Sequence, residues 1–236
     1  MKNINCLSSS ELDSFVIGTV LGDSSIIRRS ITHTAYFKCS HCNAQAELLT
    51  FKKKILEQIH PTKVNIKQTP RGDWQLNTNC LVYFTKLREK FYPNGIKIVT
   101  RKVLDKLTPL GLAVWYMDDG QLCLQTNPID RTKFLSRRAR IWSLSFSYEE
   151  HLTMKEYFKD TWDIDIKIYN CMRKGGKKYY IEFNSTNFQK FRELIKDYII
   201  PCMLYKIDMK YDSSYPKLFG ANSMDGLIEK AKQLIK

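Results

Sequence analysis

The sequence predicts an α+β fold built from two pseudo-symmetric halves, each ordered helix, two strands, helix, two strands, helix (αββαββα). Three observations predict it: an internal repeat of three segments in the same order, two apolar stretches that each end in aspartate, and basic charge shared by both halves. Residues 1–100 and 101–236 each carry seven more Lys and Arg than Asp and Glu, within a formal charge of +14 over 236 residues. The basic surface therefore belongs to the body of the fold, and it implies a polyanionic partner, nucleic acid before a membrane surface.

The first element is an apolar helix over Leu12 to Asp23, containing Phe15-Val-Ile-Gly-Thr-Val-Leu-Gly-Asp23. It has almost no polar face, so it is expected to be buried nearly all round. Gly18 and Gly22, four apart, leave one flat stripe where another backbone can come close, which accounts for a cost of about 1 kcal/mol per helical glycine. The matching element runs from Thr108 to Gly120, with Thr108 as N-cap and Pro109 in the first turn. Neither half can bury such a helix alone. Packing the two against each other at a pseudo-twofold axis brings Asp23 and Asp119 to the same end.

The repeated segments supply the remaining elements. Glu47–Leu56 resembles Glu150–Phe158, both amphipathic helices, and each runs into alternating residues around Val64–Ile66 and Ile166–Ile168. Trp74–Asn79 and Tyr180–Asn187 read as returning strands that end in polar caps. Phe84–Pro93 then matches Phe188–Pro201, a helix stopped before proline, and a lysine follows each proline, Lys97 and Lys206. The halves are assigned to residues 1–103 and 104–212, with 213–236 as a C-terminal tail. The run Lys52-Lys53-Lys54 and the terminal Lys230, Lys232 and Lys236 are expected on solvent faces of amphipathic helices.

No stretch approaches the roughly 18 unbroken apolar residues of a spanning helix, so no membrane role is expected. The first ten residues lack the pattern of a secretory signal, and a reducing intracellular compartment is the expected location. Seven scattered cysteines form no complete disulfide framework. Cys39-Ser40-His41-Cys42 has metal-ligand spacing but no second pair downstream. The better reading is a strand end followed by a turn, with the cysteines as small buried hydrophobes.

With these residues in view, the sequence resembles the LAGLIDADG homing endonuclease family, of the single-chain, two-motif type. Leu12–Asp23 and Leu110–Gly120 look like two copies of the motif, and Leu107-Thr-Pro-Leu110 with Trp115-Tyr-Met-Asp-Asp-Gly120 is especially similar. Phe91–Val99 and Ile200–Lys206 resemble family motifs outside the two helices, so the likeness spans about residues 10 to 210. The resemblance implies saddle-shaped antiparallel sheets straddling a DNA duplex and a site-specific endonuclease acting as a monomer. It further implies Asp23 and Asp119 as acids binding Mg²⁺ (or Mn²⁺), and Lys97 and Lys206 as basic residues near the active-site waters. The sequence departs from the motif at Ser24, where glycine usually follows the acid, and at Val114, where the first copy has Gly18. The two centres are therefore expected to differ. Asp118 is assigned no catalytic role, because neighbouring helical side chains diverge by about 100°.

DNA reading is expected on the strands, with Arg and Gln suited to base edges and Lys to phosphates. In the first half the candidates are Arg28, Arg29, Lys38, Lys67, Gln68, Arg71 and Gln75. In the second they are Arg138, Arg140, Lys167, Tyr169 and Arg173, with a basic hairpin rim of Lys174, Lys177 and Lys178. The alternatives are a maturase-like protein of the same fold that binds intron RNA, and a DNA-binding regulator without activity. An acid at both motif ends favours cleavage. An organelle, a phage and a bacterium are equally compatible sources.

Overall fold

A complete capping box opens the first helix: the Ser8 hydroxyl accepts from the Glu11 N–H, and the Glu11 carboxylate accepts from the Ser8 N–H. This helix, α1 (Ser9–Leu21), begins a computed structural model that describes residues 2–126, 134–208 and 211. The first half continues with β1 (Ser24–Ile27), β2 (Tyr36–His41), α2 (Ala46–Leu56), β3 (Val64–Gln68), β4 (Trp74–Thr78), α3 (Val82–Phe91) and a one-turn α4 (Arg101–Leu104). The second repeats the order with α5 (Pro109–Asp119), β5 (Gly120–Thr126), β6 (Phe134–Ile141), α6 (Tyr148–Trp162), β7 (Lys167–Arg173), β8 (Gly176–Phe183) and α7 (Ser185–Ile195). The expected tail and its lysines lie outside the described residues.

Each half forms one four-stranded antiparallel sheet, ordered β1-β2-β4-β3 and β5-β6-β8-β7. The registers correspond: Ser24 pairs with Cys39 as Gly120 pairs with Ile141. Hence Cys39 corresponds to Ile141, and His41 to Ser143. The pleat sends Phe37, Cys39 and Leu76, and in the other sheet Ala139, Ile141, Ile181 and Phe183, into the helix-covered core.

The two apolar helices pack as one seam, and α1 is buried from Ser14 through Leu21, α5 from Leu110 through Asp118. A Cβ on Gly18 would stand 2.1 Å from the Gly111 carbonyl oxygen, and one on Gly22 would stand 2.5 Å from Asp118 Cβ. The seam is thus staggered. Gly18 opposes Gly111, a glycine the sequence reading did not single out. The expected Thr108 cap takes another form: its side chain makes no bond within α5, and its N–H and hydroxyl instead donate to Ser14 Oγ on α1 at 2.7 and 3.0 Å. Of the two polar caps expected after the returning strands, only one caps a helix, through Asn184 accepting from the Asn187 N–H. Asn79 instead accepts from the Lys63 N–H, and α3 starts without a side-chain cap.

Lys52 corrects the expectation of a solvent-facing lysine run. It is fully buried, because α2 turns Leu48, Lys52 and Leu56 along one stripe toward the core. Lys53 keeps an exposed position and pairs with Glu57 at 3.7 Å.

Candidate active site

Asp119 is the last residue of α5, and Asp23 directly follows Gly22, the C-cap of α1. The ends meet: the Asp23 N–H donates to Asp118 Oδ2 at 3.3 Å. Burial first, then the negative charges of Asp23 and Asp118, push the Asp119 carboxyl up to about 8, against the pull of Lys97 and Lys206.

The two lysines are used alike. Lys97 Nζ donates to the carbonyl oxygens of Gly22 (3.2 Å) and Leu21 (3.5 Å), one and two residues before Asp23. Lys206 Nζ donates to those of Asp118 (2.9 Å) and Met117, in the same relation to Asp119. Each ammonium therefore satisfies the carbonyl end of one seam helix, where the helix dipole favours positive charge. Burial lowers both lysines' pKa values, and the acids Asp23, Asp118 and Asp119 partly offset the effect.

Beneath Asp23 lies a cluster that sequence reasoning did not assemble. Lys52 Nζ reaches both Asp118 carboxylate oxygens (2.6 and 2.9 Å), His41 Nε2 (3.0 Å) and Cys39 Sγ (3.3 Å). Burial opposes the Lys52 charge, yet Asp118 and Cys39 hold its pKa above the ordinary range. Burial and the Lys52 charge bring His41 down to about 4, so its ring is neutral at physiological pH. Asp118, assigned no catalytic role from the sequence, accepts the Asp23 N–H and so acquires a part in holding Asp23. Cys39 is buried and Cys42 exposed, and ligand atoms of Asp23, His41 and Asp118, with no cysteine, lie within 4.8 Å of one another.

The two shifted groups oppose each other in stability. A raised Asp119 carboxyl makes the metal-free folded state hold the extra proton between about 4 and 8, so its contribution falls as pH rises there. His41, lowered to about 4, contributes a gain up to its ordinary value of 6.5. Above that value His41 no longer offsets the Asp119 loss, and the lowered Lys97 and Lys206 add a gain only where those ammoniums deprotonate. Denaturation midpoints of metal-free protein are expected to fall from pH 6.5 to 8, and Asp119→Asn to flatten the fall; a slope unchanged in that variant would refute the assignment.

The other candidates divide by face. Lys38, Lys67 and Gln75 lie on the open side of the first sheet, and with Arg29, Tyr36 and Asn77 they line a cavity of about 330 Å³. Arg71 is exposed in the turn before β4. On the second sheet Arg138, Arg140, Lys167, Tyr169, Arg173 and Lys178 share the open side, with Lys174 at the hairpin tip. Buried Glu182, which the sequence reading passed over, pins Arg140 (2.7 Å) and Arg138 (3.2 Å).

Three candidates lie elsewhere. Arg28 folds back to donate to the backbone oxygens of His33 (2.7 Å) and Ile31, so it holds its own loop. Gln68 pairs with Trp74 on the core-side register of Leu76 and donates to the Gly72 carbonyl oxygen at 3.1 Å. Lys177 pairs with Met172 opposite the open face, its ammonium 5.5 Å from the Tyr179 ring centre.

Paired acids at the ends of two packed helices, each leading into a four-stranded sheet with a basic open side, define a class in which one chain repeats the same unit twice. A profile of the LAGLIDADG DNA endonuclease family matches residues 13–191, and the chain belongs to that family. A protein named Protein RecA from Mycolicibacterium flavescens is 30% identical over 198 residues, covering 81% of this chain and 45% of that protein. The chain spans about half the length of the curated relatives it matches first. DNA endonuclease I-ChuI from Chlamydomonas applanata is 27% identical over 210 residues, covering 81% of this chain and 92% of that one. Among solved structures, the homing endonuclease I-WcaI bound to its DNA recognition sequence shares the fold, with TM-score 0.67, 21% identity, and 85% and 87% of the two chains covered. No described helix is long and apolar enough to cross a membrane.

Proposed function

We propose that this chain is a site-specific double-stranded DNA endonuclease acting as a monomer, with residues 1–103 and 104–212 each engaging one half of a long target. The carrying observation is the pair Asp23 and Asp119, brought together by the glycine seam, each preceded by carbonyls that a lysine holds. The fold shared with DNA-bound I-WcaI and the likeness to I-ChuI support this reading.

The donor set fits a hard divalent cation. Two carboxylates converge, and a cation would relieve both causes that raise the Asp119 carboxyl, burial first and then the negative charges of Asp23 and Asp118. Asp23 and Asp119 would hold Mg²⁺ or Mn²⁺, which supplies a polarised phosphoryl oxygen and an acidified water. Lys97 and Lys206 fix the helix ends that aim the acids and place positive charge beside a phosphodiester. The open sheet faces orient the duplex, Lys67 and Lys178 meeting phosphates while Gln75 and Arg140 face base edges.

With about eight phosphate contacts, the log–log slope of affinity against salt should be near −7. Lys67→Ala together with Lys178→Ala should make it shallower by about 2 and leave sequence preference largely intact. Affinity that hardly changes with salt in a binding titration would remove DNA from the proposal. Cleavage itself is tested by cutting of duplex DNA in Mg²⁺ and its loss in Asp23→Asn.

A further inference from the structure

We propose that His41 is a positioning residue of the Asp23 centre, locked by Lys52 as a hydrogen-bond donor at Nδ1, and that this makes the strand served by Asp23 the first to be cut. The proposal rests on the endonuclease reading above.

An ammonium carries three N–H donors and no acceptor. Those of Lys52 meet the two Asp118 oxygens as a fork, Cys39 Sγ, and His41 Nε2 at 3.0 Å, where an ammonium can only donate. His41 Nε2 must therefore accept, and the proton of the neutral ring lies on Nδ1. Two acceptors stand on that side. Gln45 Oε1 is 3.1 Å from Nδ1, and Asp23 Oδ2 is 3.8 Å away, close enough for a small side-chain rotation to complete the bond. The His41 side chain is almost wholly buried, whereas that of Asp23 is 46% exposed on its outer side. One wall of a half-exposed carboxylate is thus a buried imidazole whose Nδ1 proton, given to Gln45 in this structure, lies within reach. Asp118 holds the same residue from behind by accepting its backbone N–H.

Among the described residues, nothing equivalent is built around Asp119. Ser143 occupies the register position of His41, and Ile141 that of Cys39. The Ser143 hydroxyl is engaged with His151 Nε2 at 2.8 Å, and His151 Nδ1 faces the Ser147 carbonyl oxygen at 2.6 Å, so that imidazole serves the start of α6. In the repeated helix, Lys155 stands where Lys52 does in α2, and it is a surface residue 3.9 Å from Asp165. The two centres thus share their acids and lysines but not their second layer. A residue whose backbone N–H is tied and whose carboxylate has a fixed donor within reach spends less of its time misaligned, which favours the Asp23 centre in rate. Because Nδ1 already carries a proton, His41 is not a general base.

Two measurements test this. In ¹⁵N-edited NMR of the metal-free full chain, His41 should show a protonated Nδ1 and an unprotonated Nε2, and Lys52→Met should abolish that preference. A protonated Nε2 in the wild type overturns the proposal. In a strand-resolved nicking assay, the Asp23 strand is defined as the one whose cutting is lost in Asp23→Asn. His41→Ala should slow that strand about ten- to a hundredfold, the range for a hydrogen bond to a charged group, and leave the other strand near its wild-type rate. His41→Asn, which returns an N–H near the Nδ1 position, should recover much of the loss, whereas His41→Gln should not. Equal slowing of both strands, or no rescue by asparagine, would reduce His41 to a structural role and overturn the proposal. Absence of any cutting by wild type would refute the endonuclease reading instead, with the NMR result still deciding the tautomer.

Discussion

Asparagine at position 23 or 119 is expected to leave DNA binding intact and to lower cleavage at that centre by at least about a thousandfold, near 4 kcal/mol of activation free energy. The substitution keeps the shape of the side chain and removes the charge that holds a divalent cation. Affinity for duplex in the absence of metal should stay equal or rise, because one negative charge facing the phosphates is gone. Either single variant should retain slow nicking of one strand, since Asp23 and Asp119 end different helices, each with its own lysine, Lys97 or Lys206. A gel assay resolving nicked from linear product checks this, and a single variant cutting both strands at the wild-type rate would contradict it.

Gly18→Leu is expected to destabilise the fold by about 3 kcal/mol or more, at the upper end for core overpacking. The first added carbon would stand 2.1 Å from a backbone oxygen of Gly111, and backbone, unlike a side-chain tip, cannot rotate aside. The helices would have to separate, and with them the acids they end in, so cleavage should fall in step with stability. Chemical denaturation gives the stability directly. A variant as stable as wild type would mean that the seam is not packed as described.

The seam and the acids were legible in the sequence because each is written in local terms: apolar residues on every side of a helix, glycine at a four-residue spacing, and aspartate at the end. The repeat made the two sheets legible as well, down to the order of strands within each half. Lys52 was misread because three consecutive lysines look like a solvated block, although Leu48, Lys52 and Leu56 lie four apart and share one stripe. His41 could have been placed inward from the alternation Phe37, Cys39, His41, but its partners come from α2 and from the other half, 11 and 77 residues away. Glu182 between Arg138 and Arg140, and Gln68 on the core side, depend on strand register, which a one-residue shift would reverse. What remained hidden was whatever a side chain from one half does for the other.

The proposed site-specific cutting of DNA stands on Asp23 and Asp119 acting together. Purified wild type and the Asp23→Asn/Asp119→Asn double variant are each incubated with a randomised duplex library and Mg²⁺, and the cut ends are sequenced. Wild-type ends are expected to converge on one extended sequence and to vanish in the double variant. Ends that persist unchanged in that variant, or wild-type ends that converge on nothing, would contradict the proposal.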